Sequence, residues 1–428
     1  MRYIEGIKKH KDDINIVIAA SGSLGDIKPF AAIGKILLSQ GFNVTIITDE
    51  QHIRDLSYYF TNLISVEKLQ RKYKFFEPLK TVYKKGPNDI EESIRGTILK
   101  FEEIYIKPIY SVYRYICDNY SRNNTLLIGH FLSFGARLAN EVKRIPMVVV
   151  SLSPYWFTII NDNYFCQSIN AIRKYLGLQP ISSIMRRWML TENSVIGLFP
   201  EWFVKSTEKL SNNCKTFGFL YDTVDAKTCL DHDISDFVSS NNGCIVFRIS
   251  SFRLNSGNFF HVAQKVCTKL SMRALFITQY KDMLPEILSP FVRCYKYVPF
   301  ELLLNKVRLI VHDGGIGTCA EAIRAGIPQL ICPRTHEQKD NAERLKMLGL
   351  CSILNFNSLD EKSMAKKIEE LLRPEVSAVC KHYADIVQRD KSAANHICEE
   401  ILRIIDTCFA APDEKNMFEA GKWSNTAL

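Results

Sequence analysis

What the sequence lacks excludes several classes of protein. It has no uninterrupted apolar run of about 18 residues, so no membrane-spanning helix is expected. Its 13 cysteines, an odd number, are scattered from Cys117 to Cys408 without a Cys-x-x-Cys pair. That argues against a zinc module or a disulfide framework and for a reducing compartment. There is no Gly-x-Ser-x-Gly elbow to support a hydrolytic triad, and no internal repeat or low-complexity segment. The first 13 residues are polar and charged, and the apolar run at 14–20 is too short for a signal peptide or a membrane span. A cytoplasmic protein, not integral to a membrane, is the expectation.

What is present is an ordinary globular balance. Of 428 residues, 46% are hydrophobic and 24% charged, and a chain of this length exceeds the usual size of a single core. Two domains are therefore expected. The net charge is +9, with a local excess at Lys68, Arg71, Lys72, Lys74, Lys80, Lys84 and Lys85 among Tyr73, Phe75, Phe76 and Tyr83. A solvated loop with some aromatics tucked inward explains this cluster. A peripheral contact with the anionic inner membrane surface is the second reading, and no nucleic-acid partner is assigned.

The first half alternates between strand and helix patterns. Residues 14–20 read as a strand, and a Gly-containing loop leads to Pro29 in a first helical turn. An amphipathic helix then runs to about Gln40, and 43–48 form the next strand. Residues 126–129 and 146–150 read as strands around a helix at 136–142. This rhythm implies a parallel sheet with right-handed crossovers. The polar stretch 223–242 reads as a linker, which divides the chain into an N-terminal domain (1–222) and a second α/β series (243–391). A last helix and a frayed tail (392–428) follow. The fold class expected is α/β, with two Rossmann-like, doubly wound domains facing across a cleft where ligands bind.

Two constellations carry chemistry. The sequence from Val311 to Thr318, VHDGGIGT, lies between an apolar strand and a helix. Its glycines Gly314, Gly315 and Gly317 let the backbone approach a diphosphate, and the new helix points its amides at the oxygens. Thr318 adds a hydroxyl, and His312 is expected to add an imidazole donor. Beyond the next strand, the stretch 333–341 reads as a loop in which Glu337 and Gln338 could bond sugar hydroxyls. In the front half, Ser23, Gly25 and Asp26 follow the first strand. Asp26 reads either as a helix N-cap or as a general base facing the cleft. Displacing a nucleoside diphosphate from an anomeric carbon requires both a proton acceptor and a stabiliser for the leaving group.

These residues resemble the GT-B glycosyltransferases that include sterol and antibiotic glucosyltransferases. GSLGDIKPF is similar to their N-terminal element, and HDGGIGTCAEAIRAGIPQLICP followed by EQKDNAERL is similar to their donor signature. Segments at 135–139, 198–203 and 218–222 resemble, more narrowly, the rhamnosyltransferase subunit of rhamnolipid biosynthesis and its bacterial kin. The resemblance implies Asp26 as catalytic base, and His312, Gly315, Gly317 and Thr318 around the diphosphate. It places Glu337 and Gln338 at the sugar. It further implies inversion, no metal, no cofactor beyond a UDP- or TDP-linked sugar co-substrate, and a last helix packed on the N-terminal domain. Two departures stand out. Where relatives carry Gly-Ser at the first strand end of the second domain, this chain has Arg248, Ser250 and Ser251 beside the donor. The sugar-loop Asp is here Glu337.

The acceptor side is expected in the N-terminal domain, where Tyr155, Trp156 and Phe157 offer an apolar wall, and relatives suggest a hydrophobic hydroxyl-bearing acceptor. Two rival readings remain open at this level. One is an NAD(P)-dependent oxidoreductase, since 315–320 fits Gly-x-Gly-x-x-Ala after a strand. The other is a catalytically silent nucleotide-sugar-binding or auxiliary protein, suggested by the departures at Arg248 and Ser250.

Overall fold

A computed structural model describes residues 11–73, 99, 101–158, 163–190, 194–221, 229–239, 243–249, 258–389 and 393–409. Seven strands form the first sheet: β1 (Asn15–Ala19), β2 (Asn43–Thr48), β3 (Asn62–Ser65), β4 (Thr125–His130), β5 (Met147–Ser151), β6 (Ser194–Gly197) and β7 (Cys214–Thr216). Their order is β3-β2-β1-β4-β5-β6-β7, with every pairing parallel. The second sheet contains β8 (Cys244–Arg248), β9 (Arg273–Ile277), β10 (Val292–Tyr295), β11 (Leu309–His312), β12 (Gln329–Ile331) and β13 (Cys351–Ile353). It runs β10-β9-β8-β11-β12-β13, again all parallel. Helices cover both faces, so the central strands are apolar almost throughout rather than alternating; Ile16, Val17 and Ile18 are fully buried.

Each sheet reverses its strand order once, between β1 and β4 and between β8 and β11. Crevices open beyond the carboxyl ends of strands at such reversals. The Asp26 segment follows β1, and the glycine-rich segment follows β11. The topology therefore delivers both to a switch point.

The structure corrects the expected boundaries in three places. The first helix, α1 (Leu24–Ser39), begins five residues before Pro29, which lies inside it. Ser23 is the N-cap, and Asp26 is the third helical residue rather than a loop residue or the cap itself. Within the expected linker, α2 (His232–Val238) buries Ile234, Phe237 and Val238 against Cys244, Val246 and Leu275 of the second sheet. Finally, the stretch read as a loop at 333–341 enters a helix, α4 (His336–Met347), after α3 (Ile316–Ala325).

The two halves are locked to each other. The apolar core of the first continues into Ile316, Cys319, Ala320 and Ile323 of α3. Arg344, with 1% of its side chain exposed, grips Glu208 through two nitrogens at 2.7 Å each and Asp340 through Nε at 2.6 Å. The last helix, α5 (Ala393–Phe409), packs Ile397, Ile401, Ile404 and Ile405 into the N-terminal core, and its Glu400 pairs with Lys215 at 2.8 Å. All 13 cysteines are free thiols. Among the described residues no helix is long and apolar enough to cross a membrane. Of the basic and aromatic cluster, residues 74–85 lie outside the described residues; Lys68, Arg71 and Lys72 sit on a short helix, Val66–Lys72.

Candidate active site

The front wall is built around Gly22, whose φ of 127° an L side chain rarely adopts. Its amide donates to buried Asp49 Oδ2 at 2.8 Å, and its carbonyl lies 3.0 Å from His52 Nε2. Both partners follow β2, so the second strand fixes the turn that follows the first. Burial holds the Asp49 carboxyl above its usual range, against the opposing effect of the Gly22 hydrogen bond. The chain then enters α1 through a capping box. Ser23 N and Ser23 Oγ both donate to Asp26 Oδ2 at 2.8 Å. A Cβ on Gly22 would lie 2.8 Å from both Asp26 Oδ2 and Tyr105 Oη. Those atoms thus crowd one small space. Tyr105 is pushed well above the ordinary phenol range, first by burial and then by Asp26, Glu337 and Asp49. His130 ends β4, is 4% exposed, and accepts from Leu132 N through Nδ1 at 3.2 Å. Burial lowers its pKa, and Asp26 opposes that shift. A narrow cavity of about 30 Å³, lined by Ser21, Tyr105, His130 and Ser133 among others, runs beneath this wall.

The rear wall is the start of α3. Gly315 is its N-cap, no side chain caps it, and the first intrahelical bond is Cys319 N to Gly315 O at 3.0 Å. The amides of residues 316–318 therefore precede the hydrogen-bonded ladder. A Cβ on Gly315 would meet nothing within 4 Å, whereas one on Gly317 would lie 3.9 Å from Gly25 Cα. The glycines thus leave an open groove on one side of the helix start and allow close approach of the front wall on the other. Asn341 of α4 ties the walls together: Nδ2 donates to Gly314 O at 3.1 Å, and Oδ1 accepts from Ser153 Oγ at 2.9 Å. Glu337, half-buried one turn earlier, has its carboxyl pushed up to about 8 by burial, then by Asp26 and Asp340. The close approach of Gly317 to Gly25, 3.9 Å from a Cβ built on the former to Cα of the latter, brings the two walls face to face. Among the described residues no three His, Cys, Asp or Glu side chains converge to hold a metal ion.

The chain is similar to several known proteins. Residues 276–404 match the family model of the erythromycin biosynthesis protein CIII-like C-terminal domain. An uncharacterized glycosyltransferase of Mycobacterium leprae is 21% identical over 415 residues, 89% of this chain and 95% of its own length. One from Mycobacterium tuberculosis H37Rv is 22% identical over 400 residues, covering 85% and 92%. The solved glycotransferase of kitacinnamycin superposes with a TM-score of 0.69 at 13% identity, over 92% of this chain and 99% of that one. The spinosyn rhamnosyltransferase complexed with thymidine diphosphate gives 0.62 at 14% identity, over 90% and 98%. The fold is that of the GT-B glycosyltransferases. The relatives spanning most of its length are named glycosyltransferases, and this likeness supports a transferase enzyme. The dinucleotide oxidoreductase reading falls with that likeness.

Within this GT-B frame, the expected residues take unequal parts. Asp26, Gly25, Gly315 and Gly317 meet at the cleft, with Ser23 holding the Asp26 carboxylate. His312 does not serve as the expected imidazole donor. It is fully buried, its Nε2 pairs with Gln329 Oε1 at 2.9 Å, and its Nδ1 accepts from Gly314 N at 3.0 Å. Burial lowers its pKa to about 4, so it is a neutral brace that shapes the positive-φ turn at Gly314. Gln338 also departs from expectation, because Oε1 accepts from the amides of Arg334 and Thr335 in a capping box, leaving only its amide nitrogen for a ligand. Thr318 Oγ1 accepts from Arg248 Nη1 at 2.9 Å, which leaves its hydroxyl proton to donate. Ser250 and Ser251 lie outside the described residues. Of the aromatic wall, Trp156 and Phe157 are buried and Tyr155 is half-buried. Sequence reasoning missed Asp49, His52, Tyr105, His130 and Asn341. The first and fourth stand at or just beyond the carboxyl ends of β2 and β4, where the strand rhythm would have marked them.

Proposed function

We propose that this enzyme transfers a hexose or deoxyhexose from a UDP- or TDP-linked donor to a hydroxyl of a hydrophobic small-molecule or lipid acceptor, with inversion at the anomeric carbon. The observation that carries the proposal is the facing of Asp26 and the uncapped start of α3 across one cleft. The acceptor hydroxyl gives its proton to the Asp26 carboxylate through Oδ1, since Oδ2 is held by Ser23. The acceptor oxygen bonds to the anomeric carbon as the bond to the diphosphate oxygen breaks. The electron pair departs onto the nucleoside diphosphate, which the amides of 316–318 and the Thr318 hydroxyl stabilise. Gly315, where a Cβ would meet nothing within 4 Å, leaves the backbone bare for that approach. Glu337 and the Gln338 amide nitrogen lie at the sugar end. The bound thymidine diphosphate of the spinosyn rhamnosyltransferase, and the antibiotic pathways named for several structural neighbours, support a TDP- or UDP-sugar and an apolar acceptor. The narrower resemblance to the rhamnolipid subunit favours a deoxyhexose, and the basic and aromatic cluster at 68–85 a peripheral contact with the inner membrane surface. Flotation with anionic liposomes tests that surface contact.

The deciding experiment incubates the protein with UDP-, TDP- and GDP-sugars and a panel of hydroxylated acyl chains and polyketides, following nucleoside diphosphate release and product anomer. Wild type should turn over an α-linked donor to a β-linked product, or the reverse. Asp26→Asn should lose roughly 10²–10⁴-fold in kcat while keeping donor affinity. Donor binding without turnover by wild type on every pair would identify a silent nucleotide-sugar-binding protein instead.

A further inference from the structure

Arg248 ends β8 on the rear sheet, opposite His312 in the register of β8 with β11. The strand order reverses between these two strands, so the residue stands at the switch point itself. Its guanidinium donates from Nη1 to Thr318 Oγ1 at 2.9 Å, and Phe300 supports it from another side, with the ring centroid 5.8 Å away. Among the described residues it forms no ion pair with a carboxylate. The neighbouring stretch 250–257, SSFRLNSG, contains no Asp or Glu.

That placement is electrostatically unfavourable for an empty protein. The amino end of α3 carries the positive pole of the helix dipole, and the guanidinium adds a full positive charge in the same place. The adjacent imidazole of His312 is neutral, and the guanidinium itself helps to keep it so. Asp313 contributes the local negative charge; it is fully buried and acts on both His312 and Arg334. A cation held at a helix start, beside a groove left open by Gly315, calls for an anion.

On the donor-site reading above, we infer that Arg248 is a positioning residue for the donor diphosphate, supplying a fixed positive charge and turning the Thr318 hydroxyl toward the phosphates. Nη1 is spent on Thr318, so the remaining guanidinium N–H groups are available for phosphate oxygens. With Oγ1 accepting from arginine, the Thr318 O–H can only donate. The specificity that follows is for phosphate charge. Nucleoside diphosphates gain from Arg248, while the bare nucleosides do not.

Calorimetric titration of wild type, Arg248→Ala and Arg248→Lys with TDP, UDP, thymidine and uridine tests this, with the unliganded melting temperature of each as control. The better of the two diphosphates should lose at least about tenfold in affinity in Arg248→Ala, as expected for one charge-assisted contact. Arg248→Lys should recover part of that loss, because it restores the charge without the planar fork. Wild-type affinity should fall with added salt more steeply than that of Arg248→Ala, and nucleoside binding should be equal in all three proteins. Equal diphosphate affinity in wild type and Arg248→Ala would overturn the inference while leaving the donor site intact. So would equal loss for nucleosides and diphosphates. If Arg248→Ala does not fold, equal diphosphate affinity and salt dependence in wild type and Arg248→Lys would overturn the guanidinium's role in turning the Thr318 hydroxyl toward the phosphates. Failure of wild type to bind any nucleoside diphosphate would instead remove the donor-site reading itself.

Discussion

Replacing Glu337 by Gln tests the electrostatics of the cleft, because it keeps the side-chain shape and removes the titration. The carboxyl is held at about 8 by burial and by the nearby charges of Asp26 and Asp340, against 4.5 for the free group. Between those values the unfolded chain gives up this proton and the folded protein keeps it. Folding stability is therefore fully present below about pH 4.5 and is lost as the pH rises through about 8. Each tenfold difference in proton affinity between the folded and unfolded chain corresponds to about 1.4 kcal/mol. Solvent at the cleft mouth screens part of that, so a net loss of about 1–3 kcal/mol attributable to this group is expected across the window. Urea unfolding at pH 5.5, 7 and 8.5 reads it directly: the wild-type profile should fall relative to that of Glu337→Gln as pH rises. Donor affinity should follow the same direction, because above pH 8 a new negative charge stands at the sugar end of an anionic donor; a loss of roughly tenfold is the scale of one such screened repulsion. Parallel profiles for the two proteins would refute the claim that Glu337 sits protonated against Asp26.

Gly22→Ala forces an L residue to φ 127° and drives a methyl to 2.8 Å from Asp26 Oδ2 and Tyr105 Oη. It should cost about 2–4 kcal/mol in thermal or urea unfolding and lower kcat beyond what the residual folded fraction explains; an unchanged melting temperature would contradict the turn described for the front wall. Arg344→Ala leaves Glu208 and Asp340 with Lys205 as their remaining shared cation, 4.0 Å and 3.1 Å away, and should destabilise by about 2–3 kcal/mol in equilibrium unfolding, below the cost of an uncompensated buried pair. A loss below about 1 kcal/mol would mean that the bridge is solvated.

Much of this architecture was legible from short apolar runs, such as β1, β2, β9 and β11, because buried parallel strands need little more than that pattern. The start of α1 was not legible from Pro29. A proline normally marks a first helical turn, but here the Ser23–Asp26 capping box opens the helix earlier and the proline is tolerated within. The polar helix α4 was hidden by its composition, since HEQKDN reads as solvated loop. Its Thr335–Gln338 capping box was nonetheless present in the sequence and would have signalled a helix. Likewise α2 hides in a charged stretch, with only Ile234, Phe237 and Val238 at helical spacing to betray it. At the site, the glycines and Asp26 could be read because backbone approach and proton acceptance demand those residue types. The true role of His312 could not, because its partner Gln329 comes from the neighbouring strand and only the folded register brings them together. Asp49 and His130 were marked by their places at or just beyond the carboxyl ends of β2 and β4, but their partners were not.

Gly315→Ala is the most direct probe of the donor cradle. Gly315 has φ −60° and ψ 135°, which alanine adopts freely, and its added methyl would meet no protein atom within 4 Å. The substitution should cost the fold at most about 1 kcal/mol as a weaker N-cap, yet place the methyl where the diphosphate lies. Titration calorimetry of wild type and Gly315→Ala with TDP and UDP should show affinity falling at least about tenfold for whichever nucleotide wild type prefers, with an unliganded melting temperature close to wild type. Undiminished binding in the variant would contradict a donor seated at the start of α3, and with it the proposed transfer across to Asp26.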